Sequence, residues 1–258
     1  MTRIASRDSI IAQLSARLAE QGLLVRSAFN LAVDDPAQPE GLARPAATML
    51  LIGNAGASMW PAFSQSSEYL DGLPDPLDRW SARFARQLAA EFDALALFPF
   101  GGPPYHPFLS WARRGEPGYA SPLGLTLHPE YGLWHAYRFA LAFTDTLNID
   151  EWLDIKEWQV VGQIAAEAAN PCLLCAKKNY AEKPCLTSCP VDAFTGSDYR
   201  VVDCARFLDQ NPLHDCIQRG CRARRACPVG RSYHYDDLHA QFHMRQFVVN
   251  HIYKDSKQ

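Results

Sequence analysis

The stretch PCLLCAKKNYAEKPCLTSCPVDA, residues 171–193, organises the reading of this chain. It spaces four cysteines as Cys172-x2-Cys175-x9-Cys185-x3-Cys189 and closes with Pro190. A second run follows as Cys204-x11-Cys216-x4-Cys221-x5-Cys227 and closes with Pro228. These are all eight cysteines of a 258-residue chain, and residues 1–171 and 228–258 contain none. Such segregation points to a local metal-binding module attached to a separate fold. The expected boundary lies near residue 169, giving a domain over 1–168 and a cysteine module with a terminal helix over 169–258.

Bacterial two-cluster ferredoxins use a C-x2-C-x2-C-x3-C-P run whose fourth cysteine ligates the other cluster. Three closely spaced thiolates wrap one cubane. The cysteine before Pro is biased towards an extended backbone and so reaches its neighbour. The Cys185-x3-Cys189-Pro190 ending matches that pattern, while the nine residues between Cys175 and Cys185 are a polar insertion. The expectation is a ferredoxin-like module with two 4Fe–4S clusters. Cys172, Cys175, Cys185 and Cys227 would hold one, and Cys189, Cys204, Cys216 and Cys221 the other. Structural zinc and redox disulfides are the alternatives. Zinc usually takes paired C-x2-C elements, of which there is one here, and disulfide frameworks suit short secreted chains.

The module holds nine Lys and Arg against six Asp and Glu between residues 172 and 227, net +3 in a chain that is −3 overall. Arg222, Arg224 and Arg225 are candidates to offset anionic clusters, with a solvated basic face as the bland alternative. A basic face also suits docking of an acidic electron donor such as a ferredoxin or flavodoxin. The overall balance gives no argument for nucleic acid, and no apolar run approaches the roughly 20 residues of a membrane span. Met1 to Leu23 mixes charges with apolar residues, unlike a secretory leader. A cytoplasmic location is expected.

Elsewhere the periodicities alternate. Ser6 to Gln21 reads as a helix with Ile10, Ile11, Leu14 and Leu18 in a stripe, and Leu23 to Leu31 as a strand. Thr48 to Ile52 is a short apolar run suited to a buried strand, after which Gly53-Asn54-Ala55-Gly56 is expected to turn the chain. Leu77 to Phe92 places Trp80, Phe84 and Leu88 at spacing four. Asp93 to Phe98 and Trp134 to Phe143 read as strands, with a short helix near Phe108 to Arg113 between them. Glu151 to Ala169 and Asp236 to Tyr253 read as helices, the last with Leu238, Phe242, Phe247 and Ile252 apolar. Helix and strand in this order predict an α/β or α+β sandwich around a central sheet.

Leu125 to Phe143, LTLHPEYGLWHAYRFALAF, resembles the I-H-P-x-x-G-x-W-x-x-x-R element of the CblC-type cobalamin-processing family (MMACHC). His128, Pro129, Gly132, Trp134 and Arg138 fall in step with it. Met49 to Phe63 and Asp75-Pro76-Leu77-Asp78 resemble two further segments of that family, so the likeness covers roughly residues 45–145. Epoxyqueuosine reductases and reductive dehalogenases join a related cobalamin fold to a two-cluster module, in the order seen here. The chain shows neither the helical-repeat tail nor the characteristic catalytic segment of epoxyqueuosine reductases. The resemblance implies a nitroreductase-like sandwich that binds a corrinoid, with the clusters as reductant. It implies a cobalamin-linked oxidoreductase acting on cobalamin itself. The alternatives are a cobalamin-dependent reductase of another substrate, a plain electron-transfer protein, and a flavin in place of the corrinoid.

The cofactor-contact candidates are Trp60, His128, Gly132, Trp134 and Arg138, with Tyr105 at a pocket rim beside Pro103 and Pro104. In the family the arginine matching Arg138 is linked to binding glutathione. Each position has a plainer alternative: Trp134 as core, His128 as the cap of a turn, Gly132 as a tight turn. Gly53 to Gly56 lacks both phosphate-loop and dinucleotide fingerprints, so no nucleotide is expected there. His239 and His243 stand at i, i+4 but lack the glutamate and third ligand of a zinc helix.

Overall fold

The structure is a computed structural model that describes residues 7–149, 170–177, 183–195 and 198–254. The expected helix over Glu151 to Ala169 lies outside the described residues. In chain order the strands are β1 Leu24–Asn30, β2 Thr48–Ala55, β3 Leu95–Leu97, the short pair β4 Tyr119–Ala120 and β5 Thr126–Leu127, and β6 His135–Phe143. The helices are α1 Arg7–Ala19, α2 Trp60–Phe63, α3 Ser67–Leu70, α4 Pro76–Glu91 and α5 Phe108–Gly115. Beyond them come α6 Pro171–Lys177, α7 Pro184–Thr187, α8 Val201–Gln210, α9 Asp215–Arg219, α10 Arg222–Arg225 and α11 Asp237–Val248. The elements gather into two compact units. One holds the described residues up to 117 together with those from 136 to 149; the other holds 118–135 and the described residues from 170 onward.

The first unit is built on a four-stranded sheet in the order β1-β2-β6-β3. β1 pairs antiparallel with β2, and β3 antiparallel with β6. The Ala47 amide donates to the Phe143 carbonyl, and Gly53 lies against Ala136, so β2 and β6 also run in opposite senses. Leu50, Leu51 and Ile52 on β2 and Phe139 to Ala142 on β6 are buried whichever face they occupy. That is why both strands read as continuous apolar runs. α4 buries Trp80, Phe84 and Leu88, the residues its spacing predicted. Trp80 meets Phe63 with centroids 5.6 Å apart, and Phe84 meets Phe139 of β6 at 6.4 Å. Mixed helix and antiparallel strand make this an α+β arrangement.

Two expectations are corrected. The chain does not turn at Gly53, because β2 continues to Ala55. A Cβ at Gly53 would stand 1.9 Å from the Ala136 carbonyl oxygen, so glycine marks a close strand approach there rather than a turn. The last helix is shifted in face. Leu238 is 68 % exposed, whereas His239 beside it is fully buried. The Asp236 side chain caps α11 by accepting the His239 amide at 2.8 Å, and Val249–Lys254 continues the helix with a wider π-type turn. No helix among the described residues is long and apolar enough to cross a membrane.

A candidate metal centre

The second unit joins the β4–β5 pair to short helices that carry the cysteines. Cys172 and Cys175 lie on α6, Cys185 on α7, Cys204 on α8 and Cys216 on α9. Cys221 immediately precedes α10, Cys227 follows it, and Cys189 lies two residues beyond α7. Cys189, Cys216 and Cys227 are buried, and all eight are free thiols. Cys189 and Cys227 pack with Leu127, Leu133, Ala193, Phe194 and Ala223, with Cys172, Cys185, Cys204 and Cys221 at the margin.

Burial pushes up the thiols of Cys172, Cys221 and Cys227, and those of Cys185, Cys204 and Cys216 to about 11. Added to burial is repulsion between neighbouring sulfurs, which runs within two sets. Cys172 feels Cys227 and Cys175, Cys185 feels Cys227, Cys172 and Cys175, and Cys227 feels Cys175. Cys204 feels Cys221, Cys189 and Cys216, Cys216 feels Cys221, and Cys221 feels Cys189. Each set takes three cysteines from one run and one from the other, and the exchanged pair are the two that precede proline.

The second set encloses space. Cys189, Cys204, Cys216 and Cys221 line one small pocket whose apolar walls include Phe194, Phe207, Leu208 and Met244. The Ala193 amide lies 3.3 Å from Cys189 Sγ. Soft sulfurs gathered around one pocket are the donor type of iron–sulfur centres, and a thiol ligated by metal is deprotonated outright. Among the described residues, no three His, Cys, Asp or Glu side chains gather around a single-ion point.

The arginines of α10 have separate tasks. Arg225 pairs with Asp215 and donates to the Gly220 carbonyl at 3.1 Å. Arg224 donates to the Leu133 carbonyl at 2.5 and 3.1 Å, its guanidinium 4.3 Å from the Trp134 ring and 4.7 Å from Tyr235. Arg222 is exposed.

The six cofactor-contact candidates are divided between the units. In the second, His128 Nδ1 accepts the Glu130 and Tyr131 amides, each at 3.1 Å, and so closes the turn that its plainer alternative described. Gly132 has φ +59°, and a Cβ there would stand 2.2 Å from the Val229 carbonyl oxygen. Trp134 is buried against His234, ring centroids 4.3 Å apart. The Trp134 Nε1 and His234 Nε2 atoms are both buried with no hydrogen-bond partner among the described residues. In the first unit Trp60 is a core residue edge-on to Tyr69 at 5.5 Å, Tyr105 is 66 % exposed, and Arg138 donates to Asn54 Oδ1 at 3.1 Å.

Two groups escaped the sequence reading. In the first unit, Arg26 donates to both Glu116 oxygens at 3.1 Å and to the Asn54 carbonyl at 2.9 Å, and the Tyr137 phenol donates to Glu116. The register of β1 against β2 shifts between Val25 and Ser27, and Arg26 at that bulge is buried. The signal was an arginine inside the apolar run LVRSAF. The other is the Tyr199 ring, which stacks on the pocket residue Phe194 at 4.4 Å. No protein-family model matches the chain, and no curated protein sequence matches it.

Proposed function

We propose that the chain is an iron–sulfur reductase that carries two 4Fe–4S clusters and passes their electrons to a bound cobalamin. The observation that supports the cluster half is the pocket shared by Cys189, Cys204, Cys216 and Cys221, set beside the two Cys-Pro endings of the sequence. The residues before Pro190 and Pro228 are the exchanged ones, as two neighbouring cubanes require. Once bound, such clusters supply electrons singly, at potentials set by charge, burial and hydrogen bonds to sulfur. The chain's own part is to hold the thiolates in place and to keep one set dry behind Phe194, Phe207 and Met244. The net positive charge of the module suits an acidic electron-donor protein.

The corrinoid half is supported by the resemblance over residues 45–145 and by Trp134, whose buried indole N–H has no partner among the described residues. A second reading, electron transfer with no small-molecule substrate, is favoured by His128 and Gly132, which are occupied in building a turn. One experiment separates them. Anaerobically reconstituted full-length protein is assayed for iron, then mixed with cob(III)alamin and a low-potential donor. The expected result is about eight irons per chain and conversion of the cobalamin spectrum to its reduced form. Zinc in place of iron would overturn the cluster reading, and iron with an unchanged corrinoid spectrum would leave electron transfer alone.

A further inference from the structure

The end of the second cysteine run is fastened to the turn that begins at His128. A pair of glycines interlocks the two stretches. A Cβ at Gly132 would stand 2.2 Å from the Val229 carbonyl oxygen, and one at Gly230 would stand 2.4 Å from the Tyr131 carbonyl oxygen. The Tyr131 and Tyr233 rings meet edge-on at 4.9 Å, and the Tyr233 phenol donates to Glu130. Arg224 completes the junction. Its Nε and Nη2 donate to the Leu133 carbonyl at 3.1 and 2.5 Å, and Nη2 lies 3.3 Å from the Tyr235 hydroxyl. The Trp134 and Tyr235 rings stand edge to face at 5.1 Å. The guanidinium fills their corner, 4.3 Å from the first centroid and 4.7 Å from the second. Arg225 beside it pairs with Asp215, whereas Arg224 turns its charge on two aromatic rings.

A planar guanidinium can lie on an aromatic face while its fork of donors holds a carbonyl, and an ammonium has no such fork. One side chain thereby fixes both the backbone before Trp134 and the indole itself. The indole Nε1 is left buried with no hydrogen-bond partner among the described residues. Arg224 is itself carried on α10, between Cys221 and Cys227. We propose that Arg224 is a positioning residue for the corrinoid site. It sets the Trp134 indole from the loop that holds Cys221 and Cys227, so cobalamin binding and cluster binding depend on the same loop. The inference rests on the cluster and cobalamin reading above.

The test uses reconstituted full-length protein labelled with fluorotryptophan and followed by fluorine NMR, the Trp134 resonance being the one absent from Trp134→Phe. Arg224→Gln is expected to move that resonance by more than its linewidth and to leave those of Trp60, Trp80 and Trp111 in place, with iron still at about eight per chain. Arg224→Lys, which keeps the cation without the fork, is expected to move it less. Cob(III)alamin titrated into the same samples is expected to bind Arg224→Gln roughly tenfold more weakly than wild type, the scale of a desolvated cation–π contact, with Arg224→Lys between them. An unmoved Trp134 resonance in iron-loaded Arg224→Gln, or a moved one with wild-type cobalamin affinity, would overturn the inference alone. Wild-type protein that takes up no iron, or takes it up and binds no cobalamin, would instead overturn the reading on which the inference rests. Should Arg224→Gln fail to take up iron, Arg224→Lys decides on the same two measurements. Loss of iron in both variants would make Arg224 a structural residue of the loop and overturn the positioning role.

Discussion

In the sheet unit the interior is hydrocarbon. Leu50, Leu51 and Ile52 of β2, Phe139 of β6 and Trp80 of α4 are all but sealed from solvent, and paired strands satisfy their backbone. The cysteine unit has no comparable sheet among its described residues. Its helices run from 4 residues in α7 and α10 to 12 in α11, below the length at which helices are stable by themselves. Its interior mixes the buried Cys189, Cys216 and Cys227 with Leu127, Leu133 and Leu208. Burying a protonated thiol yields little beyond a small hydrophobe, whereas binding metal adds folding free energy directly. The first unit is thus expected to stand without a cofactor and the second to need one.

The largest expected effect follows from that difference. Removing iron with a chelator under reducing conditions should raise amide hydrogen exchange in α6 to α10 by roughly a hundredfold or more, while β1, β2 and β6 keep their protection. Exchange measured by mass spectrometry on loaded and stripped protein reads both units at once. Equal loss of protection in the two would show that they fold as one cooperative system, and unchanged protection in α6 to α10 would show that the thiols need no metal to pack.

A smaller effect probes the polar exception inside the sheet unit. Arg26 and Glu116 face each other with side chains 1 % and 9 % exposed. Removing one member of such a pair leaves the other charge buried alone, at a cost of about 3–5 kcal/mol. Glu116→Ala should therefore lower the unfolding free energy of this unit by that amount while iron content stays the same. Denaturant titration followed by tryptophan fluorescence measures it. A loss below about 1 kcal/mol, the worth of an exposed pair, would show that water reaches Arg26.

What the sequence made legible was the part governed by short-range rules. TMLLI announced a buried strand, and Trp80, Phe84 and Leu88 announced the buried face of α4. What it hid depends on partners distant in the chain. Gly53 looked like a turn because its reason is Ala136, 83 residues on. Arg26 looked out of place in a strand because Glu116 is 90 residues away. Leu238 looked like core by periodicity, yet α11 buries His239, whose Nε2 lies 3.0 Å from that of His243 and whose ring stacks on Tyr235 at 3.9 Å. Resemblance pointed to His128 as a ligand contact, and the backbone amides that its ring accepts lie within three residues of it.

The smallest effect contrasts two carboxylates of the sheet unit as pH changes. Burial raises the Glu116 carboxyl against the opposing pull of Arg26. The folded state therefore holds that proton more tightly than the unfolded chain, and this group's contribution falls as pH rises through the raised value. Glu68 behaves oppositely. Arg83 donates to it at 2.5 and 3.2 Å and holds its carboxyl below the ordinary 4.5. Its contribution is present above that ordinary value and is lost as pH falls through the lowered one. The Arg83 side chain is 45 % exposed, so solvent screening limits the pair to about 1 kcal/mol or less. Glu68→Gln should accordingly flatten the acid limb of a plot of stability against pH below 4.5, leaving the neutral region within that margin. Glu116→Gln should act on the opposite slope. An acid limb that Glu68→Gln leaves untouched would mean that Glu68 and Arg83 do not pair in solution.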